Sequence, residues 1–121
     1  MNNSIAPRPT ELRLKPGGTD LQVTFDTGEM FSMTAEYLRV ESPSAEVKGH
    51  GPGQEKTVPG KRNVVITKIE PVGNYAVRLT FDDMHNTGIY SWETLHKLGS
   101  QQDEIWQQYL NKLNAEGLDR G

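Results

Sequence analysis

The three histidines of this sequence have the side chains that could most readily take part in binding or catalysis. His85 follows Asp82 and Asp83 in a polar stretch, and two carboxylates beside an imidazole can bind a hard or borderline metal ion. Consecutive residues of one turn seldom point at one atom, so the pattern favours a His85 that donates a hydrogen bond to a backbone carbonyl and fixes the turn. His50 lies between two glycines and could close over a partner. His96 falls late in a predicted helix, where an imidazole suits the helix dipole.

The sequence contains no recognisable catalytic apparatus. It has no cysteine, which excludes thiol catalysis, disulfides and Cys-ligated zinc or iron–sulfur clusters. It also lacks the Gly-x-Ser-x-Gly and P-loop motifs and the His-x-Asp pattern of a two-histidine iron site. The acidic pairs Asp82-Asp83 and Asp103-Glu104 are sequence neighbours, whose side chains diverge on a strand or a helix. Since no nucleophile–base pair stands out, we predict that the chain is not an enzyme.

Length and charge describe one small domain. The chain has 121 residues, 13 basic and 16 acidic side chains, and a formal net charge of −3. This balance gives no reason to expect nucleic-acid binding. No apolar run approaches the roughly 18 residues of a membrane span, and the N-terminus lacks the basic start and apolar stretch of a secretory signal. We therefore expect a cytoplasmic location and no membrane partner.

Apolar and polar residues alternate over several short stretches, as they do in half-buried strands. Groups of strands are followed by predicted helices, which favours an α+β fold over a parallel βαβ sheet. We predict a single small domain, 10–116, of mainly antiparallel β-sheet with short helices and a C-terminal helix, and flexible tails at 1–9 and 117–121. The predicted strands are 11–15, 21–25, 30–33, 64–69, 75–81 and 89–90, and the predicted helices begin near Thr34, Ser91 and Ser100. The predicted core comprises Leu12, Leu14, Leu21, Val23, Phe25, Val77, Leu79, Phe81, Trp92, Ile105, Trp106 and Leu110.

The stretch 43–62 has neither a strand nor a helix pattern. It holds four glycines, three prolines and only three apolar residues, and it is the one basic part of the chain, with four basic and two acidic side chains. We predict a long flexible loop, and such a loop inside a small domain is either functional or merely mobile. Lys56, Lys61 and Arg62 would also be the contacts of a nucleic-acid binder, which the net charge argues against. The candidate partner-binding residues are His50, Lys56, Lys61, Arg62 and Asp83.

Two motifs resemble a known family. The first is Leu38-Arg39-Val40-Glu41-Ser42-Pro43-Ser44, and the second is Phe81-Asp82-Asp83-Met84-His85-Asn86-Thr87-Gly88-Ile89-Tyr90-Ser91-Trp92. They are similar to motifs of the small domain at the N-terminus of gamma-butyrobetaine hydroxylase and its relatives. That domain also occurs as a stand-alone bacterial protein of unknown function and appended to some P-loop iron–sulfur carrier proteins. The resemblance covers roughly residues 10–100.

The resemblance implies a structural zinc site, which in the hydroxylases is held by three cysteines of the first motif and one histidine of the second. The cysteine positions fall here at Ser42, Ser44 and Val47, and the histidine position falls at His85. Serine hydroxyls are poor zinc ligands at neutral pH, and valine offers no ligand atom. We therefore expect no cofactor, with zinc or iron implied by the resemblance alone. The oxygenase activity belongs to a separate, larger domain and is not carried over.

The resemblance also implies a docking or assembly role, because the same domain occurs beside an oxygenase and beside an iron–sulfur carrier. We predict a non-catalytic protein-interaction module, linked by the resemblance to iron or iron–sulfur proteins, that uses the 43–62 loop and the 83–90 turn. The alternative is a weak metal-binding protein. It would combine His85 or His50 with oxygen ligands from Asp83 or Glu46.

Overall fold

Alternating apolar residues fold the N-terminal part of the chain into a three-stranded antiparallel sheet. The structure, a computed structural model, describes residues 7–49 and 55–121. Strands β1 (Pro9–Leu14), β2 (Asp20–Phe25) and β3 (Met30–Thr34) lie side by side in chain order. Leu21, Val23 and Phe25 share one face of β2 and are buried, as their spacing predicts. β1 begins within the predicted tail, because Pro9 pairs with Phe25 across a bulge.

A second three-stranded antiparallel sheet follows, again with its strands in chain order. It consists of β4 (Ile66–Val72), β5 (Ala76–Phe81) and β6 (Gly88–Ser91). β4 continues through Pro71, which the sequence assigns to a turn, because an edge strand tolerates a residue without an N–H. Tyr75, predicted to open β5, lies instead in the preceding turn and is exposed. Together the two sheets and the helices confirm the predicted α+β class.

Four helices accompany the sheets: α1 (Ala35–Val40), α2 (Ala45–Lys48), α3 (Trp92–Ser100) and α4 (Gln102–Ala115). As predicted, α1 and α3 begin after Thr34 and Ser91, whose side-chain oxygens accept backbone N–H groups of the first turn. The predicted cap at Ser100 is wrong, because Ser100 ends α3 and α4 follows Gln101, which supplies no side-chain cap. In the described ranges, no helix has the length and apolarity needed to cross a membrane.

One hydrophobic core lies between the sheets and the helices. Its buried members are Leu21, Val23, Phe25, Met33, Ala35, Tyr37, Leu38, Val64, Ile66, Val77, Leu79, Phe81, Tyr90, Leu95 and Leu98. Several predicted core residues are only half-buried at its rim: Leu12, Leu14, Trp92, Ile105 and Trp106, with Leu110 against a second cluster. Their partial exposure follows from position, since β1 is an edge strand and α4 is covered on one face only.

The turn between β1 and β2 comes into backbone contact with β4 of the second sheet at Gly18. This residue ends the short 3-10 turn Pro16–Gly18 and has a φ of +73°. A Cβ atom at this position would lie 2.2 Å from the carbonyl oxygen of Ile66, the first residue of β4. Glycine is therefore required here both for the backbone conformation and for space.

The C-terminal helix covers α1 through a smaller cluster formed by Val40, Tyr109 and Leu113. Beyond α4, the Arg120 guanidinium donates two hydrogen bonds to the Glu36 carboxylate, at 2.7 and 2.8 Å, and lies 5.3 Å from the centre of a Trp106 ring. Residues 117–121, which the sequence assigns to a flexible tail, therefore contact α1 and α4.

The stretch 43–62, predicted to be a flexible loop, contains local structure in its described parts. α2 lies within it, and Val47 of that helix is buried. The backbone N–H of Lys56 donates to the Val47 carbonyl at 2.7 Å, and the Tyr109 hydroxyl donates to the Val58 carbonyl at 2.6 Å. A hydrogen bond within the stretch and a long-range one from Tyr109 thus supply order that the local composition does not predict. His50 lies outside the described residues.

Candidate functional site

Hydrogen bonds join two segments that are far apart in the sequence: residues 42–47, which follow α1, and residues 82–88, the turn between β5 and β6. We refer to the two segments together as the polar site. The turn is closed by hydrogen bonds from the Phe81 N–H to the His85 carbonyl (2.9 Å) and from the Met84 N–H to the Phe81 carbonyl (3.1 Å). The polar site brings Ser42 of the first motif to His85 of the second.

A continuous chain of hydrogen bonds runs from Ser42 through His85 to Glu46. The Ser42 Oγ atom lies 2.9 Å from Nε2 of His85, and Nδ1 of the same ring lies 3.1 Å from Oε2 of Glu46. An ionised carboxylate has no proton to give, so Nδ1–H donates to Glu46 and Nε2 of the neutral ring accepts the Ser42 hydroxyl proton. The Ser42 Oγ atom in turn accepts the backbone N–H of Ser44 at 3.2 Å.

The surroundings of His85 favour its neutral form. Burial lowers the pKa of the His85 imidazole, and the Arg39 cation lowers it further. The carboxylates of Glu46 and Asp83 act in the opposite direction without reversing the shift. A neutral ring is the form that the hydrogen bonds to Ser42 and Glu46 require.

A second set of hydrogen bonds runs parallel to the first. The Ser44 and Thr87 hydroxyl oxygens lie 2.6 Å apart, and Thr87 donates to Oε2 of Glu46 at 3.3 Å. The Ser44 Oγ atom also accepts the Glu46 N–H at 3.2 Å, which caps α2. Glu46 is therefore the carboxylate on which both sets of hydrogen bonds converge.

Asp83 links the turn to α1 and to the segment that precedes β4. Its Oδ2 atom accepts hydrogen bonds from Nε of Arg39 (2.8 Å) and Nζ of Lys61 (2.7 Å), and its Oδ1 atom accepts the His85 N–H. Burial alone would raise the pKa of Asp83, but the bonds from Lys61, the His85 backbone and Arg39 hold that pKa at about 2. One carboxylate thus pairs with two cations, and the three groups together keep a charge of +1.

Met84 lies in the middle of this turn, and its side chain projects into solvent. Its backbone adopts a φ of +73°, which side-chain-bearing residues rarely adopt, and it is 85% exposed. Asp83 and His85, on either side of it, are held by the ion pairs and hydrogen bonds described above. The turn therefore presents a large apolar side chain to solvent on a constrained backbone.

A shallow depression of about 240 Å³ lies beside the turn. Its lining includes three of the candidate residues, Lys61, Arg62 and Asp83, together with Asp82 and Arg120. The structure therefore brings part of the predicted loop and the predicted turn to one surface. Lys56 is exposed, with its backbone bonded to α2.

The polar site does not fit the zinc ion that the family resemblance implies. Both ring nitrogens of His85 face protein hydrogen-bond partners, and two of the positions corresponding to cysteine carry hydroxyls. Val47 offers no ligand atom. Across residues 7–49 and 55–121, no three His, Cys, Asp or Glu side chains are grouped so that they could hold a metal ion.

One detail of the predicted turn is confirmed and one needs correction. Asp82, Asp83 and His85 do not converge, as the pattern of consecutive turn residues indicates, because Asp82 accepts the Val65 N–H at 3.1 Å whereas Asp83 pairs with Arg39 and Lys61. The His85 ring bonds to the side chains of Ser42 and Glu46, whereas the sequence favours a bond to a backbone carbonyl. Consecutive residues of a tight turn point in different directions, and this separates the carboxylates.

Sequence reasoning missed the Ser42–His85–Glu46 arrangement, whose connectivity matches the serine–histidine–acid triad of hydrolases. No short motif signals it, because its members come from two distant segments. In this structure the serine is closed off: Ser42 is 0% exposed, and a Cβ atom on Gly88 would lie 2.6 Å from its Oγ atom. The arrangement has the connectivity of a triad but leaves no space for a substrate at the nucleophile.

Comparison with known proteins identifies similar chains. The family model described as gamma-butyrobetaine hydroxylase-like, N-terminal, matches residues 12–96. No curated protein matches the chain.

Solved structures also resemble this chain, and three of them are described here. One solution NMR structure has 48% sequence identity and a TM-score of 0.82, covering 99% of this chain and 89% of that chain. A second has 37% identity and a TM-score of 0.81, covering 94% and 90%. A crystal structure from Acidithiobacillus ferrooxidans, of a protein of unknown function in the DUF971 family, has 38% identity and a TM-score of 0.64, covering 76% and 92%.

Proposed function

Since this chain belongs to the gamma-butyrobetaine hydroxylase-like N-terminal domain family, we propose that it is a non-catalytic protein-interaction or assembly module. A relative with a similar structure is itself described as a protein of unknown function. Support for a non-catalytic role comes from the closed polar site, in which the only candidate nucleophile–base pair among the described residues is buried.

The exposed side chain of Met84 carries the proposal. An apolar side chain held in solvent by a left-handed backbone costs free energy in the isolated protein, and such costs concentrate at binding surfaces. Methionine suits this use because its flexible, polarisable side chain adapts to an apolar pocket. The bonds of Asp83 to Arg39 and Lys61 constrain the turn, so binding costs little backbone conformational entropy and the main entropic cost is the rotamer freedom of the Met84 side chain.

The depression beside the turn supplies the polar part of the same surface. Arg62 is exposed there and has no ion pair among the described residues, although its Nε donates to the Gly121 carbonyl oxygen at 3.1 Å. Lys61 and Arg120, by contrast, form ion pairs with Asp83 and Glu36. A partner with an apolar pocket that receives the Met84 side chain, and with a carboxylate placed near Arg62, would match both features. The resemblance to domains appended to iron–sulfur carriers makes iron–sulfur assembly proteins the first partners to test.

The test compares three versions of the protein in affinity capture from a soluble extract of the source cells, followed by mass spectrometry. Met84→Asp places a charge where the apolar contact is proposed. Met30→Asp is the matched control, because Met30 is also exposed, at 57%, but lies on β3. We expect a protein that is retained by the wild type and by Met30→Asp and lost with Met84→Asp. Equal recovery by all three versions would refute the proposal.

Weak metal binding, the alternative raised by the sequence, has less support from the geometry. A metal ion would have to displace Ser42 from Nε2 or Glu46 from Nδ1 of His85. Metal analysis of protein purified without a His-tag distinguishes the two proposals, since bound iron or zinc in stoichiometric amount would favour the alternative.

A further inference from the structure

A single non-helical residue, Gln101, separates α3 from α4. Gln101 has φ −112° and ψ 22°, outside the helical region. Helical hydrogen bonds nevertheless continue on both sides, from the Gln101 N–H to the Lys97 carbonyl (2.9 Å) and from the Ile105 N–H to the Gln101 carbonyl (3.0 Å). Rotations of about 50° in φ and about 65° in ψ at Gln101 alone would join the two helices.

Tyr37 stabilises the bend from outside the junction. In a continuous helix the Leu98 carbonyl would accept the N–H of Gln102, four residues further on. Among the backbone hydrogen bonds of the described residues, none joins these two groups. The buried Tyr37 hydroxyl instead donates to the Leu98 carbonyl at 2.7 Å. The hydroxyl thus satisfies an acceptor that the bend deprives of its helical partner.

The surface under α4 is formed by elements that precede the junction. The Trp106 ring packs edge-on against the Tyr37 ring, the Tyr109 hydroxyl donates to the Val58 carbonyl, and Arg120 pairs with Glu36. A second copy of the chain carries the same surface. Its α4 can therefore make every one of these contacts in trans.

We propose that a second copy of this chain is a partner, and that the two chains exchange α4 and the residues that follow it. In the exchanged dimer, α3 and α4 form one helix, Trp92–Ala115, about 36 Å long. The junction residues 99–102 are uncharged, and the acidic residues Asp103 and Glu104 follow them in the first turn of α4. The exchanged segment lies beyond residue 96, where the match to the family model ends.

Because the chain has no cysteine, two engineered cysteines can report the exchange without interference. The Thr57 hydroxyl donates to the Glu116 carboxylate at 2.6 Å, which joins the surface under α4 to the end of the exchanged segment. The Glu116 side chain spans part of the distance between the two backbones, so a short bis-maleimide cross-linker suits a Thr57→Cys/Glu116→Cys variant better than a direct disulfide. The variant is unfolded in urea and refolded at high protein concentration, which allows slow exchange to reach equilibrium, and the cross-linker is then added. It joins the cysteines within one chain in the monomer and between chains in the exchanged dimer, and denaturing gels and light scattering report the linkage and the mass.

Two tyrosine variants provide a matched comparison. Tyr37→Phe removes the bond that supports the bend, and we expect the association constant of the dimer to rise about tenfold. Tyr109→Phe removes an equivalent hydroxyl–carbonyl bond, but this bond lies within the exchanged contact and is present in both forms. We expect no change in the association constant for Tyr109→Phe. Gln101→Gly, which weakens a continuous helix, should lower the constant about fivefold.

Supporting results are a dimer whose cross-link joins two chains and a dimer fraction that rises with Tyr37→Phe alone. The exchange is refuted if both the wild type and Tyr37→Phe remain monomeric after refolding at about 1 mM, far above the range in which stable dimers dissociate. It is also refuted if a dimer forms but each cross-link stays within one chain. Equal effects of Tyr37→Phe and Tyr109→Phe would refute the role of the bend.

Discussion

Ser42 and His85 are 43 positions apart in the sequence, and their side chains are joined by a 2.9 Å hydrogen bond between Oγ and Nε2. The bond ties the end of α1 to the turn between β5 and β6. Neither side chain has access to bulk water that could replace the lost partner. The free energy of unfolding therefore depends on this pair.

Replacement of Ser42 by alanine should lower the free energy of unfolding by about 1–3 kcal/mol, since it leaves Nε2 of His85 and the Ser44 N–H without their partner. Urea unfolding followed by circular dichroism measures the change. Ser32→Ala, at an exposed position of β3, is the control and should alter stability by less than about 0.5 kcal/mol. Indistinguishable midpoints for the two variants would contradict the proposed contribution of the buried pair.

The stability of the protein should fall as the pH decreases from 7 towards 5. The pKa of His85 in the folded protein lies below its ordinary value of 6.5, so below pH 6.5 the unfolded chain binds more protons than the folded one. Protonation thus favours unfolding across this window, while the carboxylate of Asp83, with a pKa of about 2, stays ionised. Thermal unfolding of the wild type and of His85→Gln at several pH values tests this. The variant should lose part of the slope, and an unchanged slope would mean that another group titrates.

Removal of Arg120 should destabilise the protein more than removal of an ordinary surface arginine. Arg120→Ala leaves the buried Glu36 carboxylate without its bidentate partner. The cost should be about 1–3 kcal/mol, below that of a fully buried pair because Arg120 is partly exposed. Arg13→Ala, which removes the surface pair with Glu11, is the control and should cost less than about 0.5 kcal/mol. Adding Glu36→Gln to Arg120→Ala should restore part of the loss.

Ser42 should not react with a fluorophosphonate probe of serine hydrolases. Its hydroxyl has the bonding partners of a nucleophile but is closed off by Gly88. Intact-mass spectrometry after incubation with the probe should show unmodified protein. A single adduct that maps to Ser42 and disappears in His85→Gln would identify a catalytic serine and overturn the non-catalytic proposal.

Removal of metal ions should leave the fold unchanged, because no thiolate site couples metal binding to folding. The unfolding temperature in the presence of a strong chelator should equal that of untreated protein. Addition of iron(II), zinc(II) or nickel(II) should not shift the ring resonances of His85 at micromolar concentrations. Saturable shifts of His85 together with His50 would instead support the metal-binding alternative.

Local patterns in the sequence predict most of the strands and little of the polar site. The alternation of Leu21, Val23 and Phe25 places a buried face on β2 because side chains in a strand alternate strictly between two faces. The same reasoning fails at Tyr75, where the turn before β5 extends one residue further than the apolar alternation indicates. Boundaries depend on pairing with a neighbouring strand, which the sequence of a single strand does not contain.

The sequence predicts where the polar site lies, but it does not predict which hydrogen bonds join the side chains of the site. The resemblance points to Ser42, Ser44 and His85, and the structure brings these residues into one hydrogen-bonded set. The role of Glu46 as their shared acceptor depends on the helical turn α2, for which the glycine- and proline-rich stretch gives no signal. Local composition indicates flexibility there, whereas the bond from Lys56 to the Val47 carbonyl and the long-range bond from Tyr109 to the Val58 carbonyl provide order.

The backbone contact at Gly18 restricts which sequences can occupy this fold. Gly17 and Gly18 both have positive φ, but nothing lies within 4 Å of a Cβ atom at Gly17, whereas one at Gly18 would overlap the Ile66 carbonyl. Asparagine or aspartate, which tolerate the left-handed region, can therefore replace Gly17 in related sequences. At position 18 even a methyl group would force the sheets apart. Natural variation should thus be permitted at the first glycine of the turn and barred at the second.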